Sequence, residues 1–250
     1  MVEASEEHES ISNLLKSIEE LNKEKQQIIS IVSHDIKAPL NRIYALVQLL
    51  HMGSETLTTE QQQYLDKIHQ VVADGLSMIR NLVDYRNIEY RGIDLHLEEI
   101  NIRTFVQTTV RNFKSLADKK NIKISLDATE DAFVISDNQC LGRVADSLIS
   151  NAIKFSNEGK DVSVAVKNAE ACVQVTVKDQ ARGFTNEDLP KLFTKFQKLS
   201  SKPTSGESST GLGLFVAKRF LDRIGGSIEC STQEGMGSSF TITLPKKINV

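Results

Sequence analysis

Residues 138–178 read NQCLGRVADSLISNAIKFSNEGKDVSVAVKNAEACVQVTVK, and the hydrophobic period changes inside them. Leu141, Val144, Leu148, Ala152 and Phe155 recur at steps of three, four, four and three, the period of an amphipathic helix. From Val162 the apolar residues alternate instead: Val162, Val164 and Val166, then Val173, Val175 and Val177 across the short connection Asn168–Cys172. That second pattern predicts a β-hairpin. A helix feeding into antiparallel strands predicts an α+β domain whose helices cover one face of a sheet. The flanks extend the pattern. Helical periods occupy Arg103–Lys119 and Leu212–Ile224, and alternation returns at Ile122/Ile124/Leu126 and Phe240/Ile242/Leu244. Gly225-Gly226 reads as a helix end and Gly235–Gly237 as a turn before a strand. The polar segment Ser200–Ser209, with its proline and glycine, predicts a mobile loop.

The N-terminal third follows a different rule. Ile11, Leu14, Ile18, Leu21, Lys25, Ile28 and Val32 alternate steps of three and four, a heptad seam with one lysine in it. The rhythm resumes after Pro39 at Leu40, Ile43, Val47 and Leu50, and stops at Gly53-Ser54. Thr59-Glu60-Gln61-Gln62 predicts a capping box for a second helix carrying Leu65, Ile68, Val72, Leu76, Ile79 and Leu82. Two antiparallel amphipathic helices cannot bury both stripes alone, so the expected form is a symmetric dimer closing a four-helix bundle.

Composition narrows the classes. With 30 Lys+Arg against 33 Asp+Glu, no basic excess points to nucleic acid. No uncharged apolar run approaches the ~18 residues of a membrane span. Cys140, Cys172 and Cys230 are widely spaced, so neither a zinc site nor a disulfide framework is indicated, and a reduced cytoplasmic setting is expected.

Four local patterns carry chemistry. His34, in Ser33-His34-Asp35-Ile36-Lys37-Ala38-Pro39-Leu40, has an acidic neighbour that can bond one ring nitrogen and leave the other nucleophilic. Pro39 removes a backbone donor just beyond it. Asn151 stands at the edge of an apolar stripe, where an asparagine is costly unless paired; its oxygen suits Mg²⁺. Lys154 can meet phosphate and Phe155 can stack on a base. Asp179, ending a strand in Asp179-Gln180-Ala181-Arg182-Gly183, can accept from an exocyclic amine. Thr210-Gly211-Leu212-Gly213-Leu214 opens a helix, where glycines let backbone N–H groups approach phosphate. No GxxxxGK[ST] motif is present.

In this order, on this architecture, the four patterns resemble the catalytic core of a two-component sensor histidine kinase. Ser33–Leu40 resembles the H box, Ser147–Phe155 the N box, Asp179–Gly183 the first glycine box, Leu192–Phe196 the F box and Thr210–Leu214 the second glycine box. The resemblance covers roughly residues 25–245. It implies a coiled-coil signalling helix over 1–24, a dimerisation and histidine phosphotransfer domain over 25–90, and an α/β sandwich ATP-binding domain over 96–247. It further implies Mg-ATP-dependent phosphorylation of His34, with Asp35 orienting the ring, and transfer to an aspartate of a response-regulator receiver domain. Asn151 would hold Mg²⁺. Lys154, Phe155, Asp179, Gly183, Thr210, Gly211, Leu212 and Gly213 would contact the nucleotide, under a lid from Gln197 to Ser209.

The expected partners are a second copy of the chain and a receiver domain, without nucleic acid. A sensor domain is expected to lie outside this chain, which is then cytoplasmic or the cytoplasmic part of a membrane receptor. Four positions depart from the family pattern: Ala38, Ser147, Ala181 and Ser209. Ala38 lacks the side-chain donor that would position water, so weak phosphatase activity is expected. A methyl group at Ala181 is expected to crowd the nucleotide or stiffen the turn. Two other functions stay open at this point: a degenerate kinase that binds nucleotide as a dimeric switch, and an ATPase of the same superfamily.

Overall fold

A computed structural model describes residues 2–53, 57–91, 94–197, 199–207 and 209–247. Their contacts divide the chain into two units, meeting at Glu89/Tyr90.

The first unit is a helical hairpin. Helix α1 runs from Val2 to Met52 and α2 from Thr59 to Arg86, followed by a π-helical turn at Asn87–Arg91. The seam over 11–32 and the stretch after Pro39 belong to one helix, which continues through the proline. Ser33 and Val47 are buried and Leu40 half-buried, at steps of seven. That repeat keeps one stripe toward α2, where Gly75 approaches Leu40: a Cβ added there would stand 3.1 Å from Leu40 Cδ1. The cap of α2 lies one residue before the expected one. Thr58 is the N-cap, with Gln61 N–H donating to Thr58 Oγ1 at 3.2 Å and Thr58 N–H donating to Gln61 Oε1 at 2.9 Å. Thr58 wins because its extended backbone, ψ 158°, and a glutamine three residues on permit both bonds. The hairpin loop expected near Gly53–Thr59 lies partly outside the described residues, at 54–56.

The second unit is the α/β domain. Strand β1 (Leu97–Asn101) pairs antiparallel with β3 (Phe133–Asp137) in a small sheet. The main sheet has five strands in the order β2-β4-β5-β7-β6. These are β2 (Lys123–Asp127), β4 (Asp161–Asn168), β5 (Cys172–Asp179), β6 (Ser227–Gln233) and β7 (Gly237–Pro245). The predicted hairpin is β4–β5, in register Val164↔Val177, with Ala169 N–H closing the turn on the Cys172 carbonyl at 2.9 Å. Among the described strand pairs, β2–β4 is parallel and the others are antiparallel.

Helices α3 (Ile102–Asp118) and α4 (Asn138–Phe155) bring Ile102, Val106, Leu141, Leu148 and Ile149 against Val164, Val175, Val177 and Ile242 of the sheet. Helix α5 (Gly213–Arg223) packs on α4 and β6. Asp137 caps α4: its Oδ1 accepts from Cys140 N–H at 2.8 Å and its Oδ2 from His96 N–H at 2.7 Å. Burial alone would raise its pKa, but these backbone donors hold the carboxyl below its ordinary value. No described helix is long and apolar enough to cross a membrane.

Candidate functional site

On the hairpin, His34 follows Ser33 by one residue, a rotation of about 100°. Ser33 therefore faces inward while the His34 side chain is 85% exposed. His34 Nδ1 lies 3.2 Å from Asp35 Oδ1. With the proton on Nδ1, that nitrogen donates to the carboxylate and Nε2 presents its lone pair to solvent. Ala38 is exposed one turn further on and offers no polar atom.

In the α/β domain the expected residues form two clusters. The first surrounds Asp179, 5% exposed at the end of β5. Its Oδ1 accepts from Ala181 N–H at 2.9 Å and from Ser238 N–H at 3.1 Å. This fixes the carboxylate and leaves Oδ2 to accept from a ligand. Burial pushes the carboxyl above its ordinary value, and the two N–H donors offset only part of that rise. Gly183 has φ +74°, and a Cβ there would stand 2.5 Å from the Gln233 carbonyl oxygen, so only glycine fits. Ala181 differs. The only described non-glycine residues with positive φ are Asn121 and Phe196. Alanine at 181 therefore needs no left-handed backbone, unlike Gly183.

Thr232 supports this cluster from β6. Its Oγ1 accepts from Phe184 N–H at 3.1 Å and donates to the Gly237 carbonyl at 2.9 Å. Cys230, two residues earlier, has its thiol pushed up to about 12 by burial and by the Asp179 carboxylate, so it stays protonated and unreactive.

The second cluster joins α4 to the start of α5. A Cβ added at Gly213 would lie 3.2 Å from Ser147 Oγ and 4.0 Å from Asn151 Nδ2, so the two motifs face each other. Ser147 Oγ is buried and has no hydrogen-bond partner among the described residues. Among the described residues, no side chain caps the first N–H groups of α5. Leu212 N–H donates to Thr210 Oγ1 at 3.3 Å, and the Leu212 side chain is in the core. The Leu212 side chain therefore cannot reach a ligand, and only its backbone is available for one. Gly211, φ +67°, packs on the Gln197 backbone so closely that any Cβ would collide with it. Lys154 and Phe155 end α4, both half-buried.

The segment expected to be mobile is tied to the domain at several points. Asp188 accepts from Thr185 N–H and Oγ1–H, at 3.2 and 3.0 Å, and from Ser200 N–H at 3.2 Å and Ser200 Oγ–H. Burial alone would raise the Asp188 pKa, but these donors bring the carboxyl below its ordinary value. Lys198 and Ser208, within the expected lid, lie outside the described residues. Asp188, Thr232 and Ser238 had no periodic or motif signal; each matters through a long-range hydrogen bond.

The comparisons agree with this architecture. Residues 24–91 match the His Kinase A (phospho-acceptor) domain, and residues 136–248 the family described as histidine kinase-, DNA gyrase B- and HSP90-like ATPase. The Aerobic respiration control sensor protein ArcB of Escherichia coli is 30% identical over 236 residues, covering 91% of this chain and 29% of that protein. The sensor histidine kinase WalK of Bacillus subtilis is 26% identical, covering 96% of this chain and 41% of WalK. Full-length ShkA, solved in complex with AMPPNP, superposes with a TM-score of 0.65 at 21% identity, covering 88% of this chain and 45% of ShkA. Acinetobacter baumannii histidine kinase AdeS gives a TM-score of 0.58 at 22% identity, over 85% of this chain and 98% of AdeS. The chain thus spans well under half the length of the curated relatives it matches.

Proposed function

We propose, from a chain that belongs to the two-component sensor histidine kinases by both of its domains, that it transfers the γ-phosphoryl group of ATP to His34. From there the group passes to an aspartate of a response-regulator receiver domain. The carrying observation is His34 itself: an exposed imidazole whose Nδ1 is bonded to Asp35 and whose Nε2 is open to attack phosphorus. Attack by the Nε2 lone pair forms the N–P bond. The β,γ-bridging P–O bond breaks and its electron pair leaves with ADP. Asp35 stabilises the positive charge that develops on the ring and takes up the Nδ1 proton.

Nucleotide binding rests on the α/β clusters. Asp179 Oδ2 accepts from the adenine amine. The uncapped α5 N-terminus and the backbone around Gly211 and Gly213 receive phosphate oxygens. Lys154 adds a point charge and Phe155 an apolar surface. An amide oxygen at Asn151 and the orphaned hydroxyl of Ser147 are hard-cation donors, so the residues fit Mg²⁺. When bound, Mg²⁺ supplies neutralisation of the triphosphate charge.

A homodimer through the hairpin is part of the proposal, because the apolar stripe of α1 and α2 stays exposed in one chain. We place the chain in the cytoplasm, where ATP is available, either free or as part of a membrane receptor. The test is incubation with γ-labelled Mg-ATP. Protein-bound, acid-labile label is expected. Free phosphate without bound label would mean an ATPase, and bound nucleotide without turnover a switch.

A further inference from the structure

We infer that Lys120 is a positioning residue for the nucleotide site, fastening the segment 199–207 to the last turn of α4. The inference rests on the nucleotide-binding reading above and adds a residue outside every motif. The loop has a pinched neck, where Phe196 N–H donates to the Gly211 carbonyl at 3.0 Å. Asp188 holds its first arm through Ser200. Lys120 holds its far end. The ammonium of Lys120 lies 2.9 Å from the Ile153 carbonyl, 3.1 Å from the Lys154 carbonyl, 2.7 Å from Thr204 Oγ1 and 3.3 Å from Glu207 Oε1. Three N–H donors thus serve four acceptors, two on α4 and two on the loop.

The loop answers with bonds of its own. Thr204 N–H donates to the Lys154 carbonyl at 3.2 Å, and Thr204 Oγ1–H to the Ser156 carbonyl at 2.7 Å. Ser205 N–H donates to Glu207 Oε2 at 2.8 Å.

Charge and burial make Lys120 the centre of this knot. The C-terminus of α4 carries partial negative charge on its last carbonyls, and Glu207 adds a full one. The Lys120 and Glu207 side chains are 11% and 9% exposed, so their attraction is weakly screened and either charge left alone is costly. The platform beneath Lys120 is itself fixed. Asn121 takes a left-handed backbone, φ 52°, and its Nδ2–H donates to Glu158 Oε1 at 2.5 Å. Gly159 N–H donates to the Lys120 carbonyl at 3.2 Å. The turn of α4 so engaged carries Lys154 and Phe155, the two residues assigned to the nucleotide. Loop order is therefore supplied by the protein's own contacts, and nucleotide binding is spared the cost of ordering those side chains.

The test uses the full chain and two readouts. Hydrogen exchange of residues 199–207, measured without nucleotide, reports the fastening alone. Titration with Mg-ATP reports its consequence. Lys120→Met should speed exchange across 199–207 and weaken Mg-ATP affinity about tenfold, the cost of ordering a few side chains on binding. Lys120→Arg, which keeps charge and donors, should retain most of both. Should Lys120→Met fail to fold, Glu207→Gln serves instead, because it keeps an amide oxygen as acceptor and removes only the charge that pairs with Lys120; it should weaken affinity about threefold. Unchanged exchange in a folded variant would overturn the inference. So would faster exchange with unchanged affinity, or tighter binding. If the unaltered chain binds no Mg-ATP, the functional reading fails, while the exchange data still judge the fastening.

Discussion

In the α/β domain Ile149, Ile153, Leu221 and Leu244 are at most 1% exposed, whereas in the helical hairpin Ile31, Leu46 and Val71 are 60%, 61% and 70% exposed. Both regions obey the same rule, that apolar area removed from water stabilises by roughly 25 cal/mol per Å². They satisfy it with different partners. The sheet gives α3 and α4 a broad apolar face, so the core closes inside one chain. The hairpin offers each helix only one neighbour, which covers Ser33, Val47, Leu65, Val72 and Ile79 and leaves the opposite stripe bare. A second copy of the same hairpin presents the same stripe, and a two-fold bundle covers both at once. On the proposed dimer, the α/β domain should be stable by itself, while the stability of the hairpin should depend on protein concentration.

The sharpest way to break this contrast is to charge the bare stripe. Leu46→Glu together with Val71→Glu should cost several kcal/mol, because a dimer would bury unpaired carboxylates. Sedimentation should then show a monomer, and the helical signal of the hairpin should melt first. A persisting dimer would mean that the stripe is not the interface. Next in size, Leu221→Ala should destabilise the α/β domain by about 2–5 kcal/mol. Its denaturant midpoint should not move with protein concentration, while that of the hairpin should.

Gly183→Ala should cost about 1–3 kcal/mol, since it adds left-handed strain to a collision with the Gln233 carbonyl. Ala181→Gly should change stability by under about 1 kcal/mol, slightly for the worse through chain entropy. An equal effect at the two positions would contradict their assigned backbone roles.

The smallest stability effect should come from Asp179→Asn, with the opposite sign. The pKa of Asp179 is raised by burial, so its ionised form works against folding. Its contribution is fully favourable below the ordinary value of 3.8 and is lost as pH rises through the raised value. At neutral pH the asparagine should therefore slightly raise the thermal midpoint. Mg-ATP affinity should fall by ~1–3 kcal/mol, because the adenine amine then meets a donor. For the same reason, affinity in the unaltered chain should decline as pH drops through the raised Asp179 pKa. Calorimetry at two pH values checks both signs.

The strands β4, β5 and β7 and helices α3–α5 were legible because each buries a periodic apolar face, and β2 because Ile124 and Leu126 half-bury one. Strand β6, Ser-Ile-Glu-Cys-Ser-Thr-Gln, was not, since an edge strand needs only Ile228 buried. β1 and β3 were missed for a similar reason, being five residues each in a two-stranded sheet. At the site, Asn151 and Gly213 announced themselves as exceptions to local pattern, and the fold places them together. Lys120 and Asp188 did not, because a lysine and an aspartate in polar loops look like any solvated residue until a distant carbonyl or serine meets them. Ser200–Ser209 had the composition of a free loop, but composition does not reveal tethers made from outside the segment.

On the proposed function, His34 receives the γ-phosphoryl group. The direct measurement is incubation with Mg-ATP, digestion at alkaline pH and mapping of the phosphorylated peptide. One phosphoramidate is expected, stable in alkali and lost in acid, on His34. None is expected on His8, His51, His69 or His96, and no label in His34→Gln although that variant still binds ATP. Acid-labile phosphate on another histidine, or undiminished labelling of His34→Gln, would contradict it.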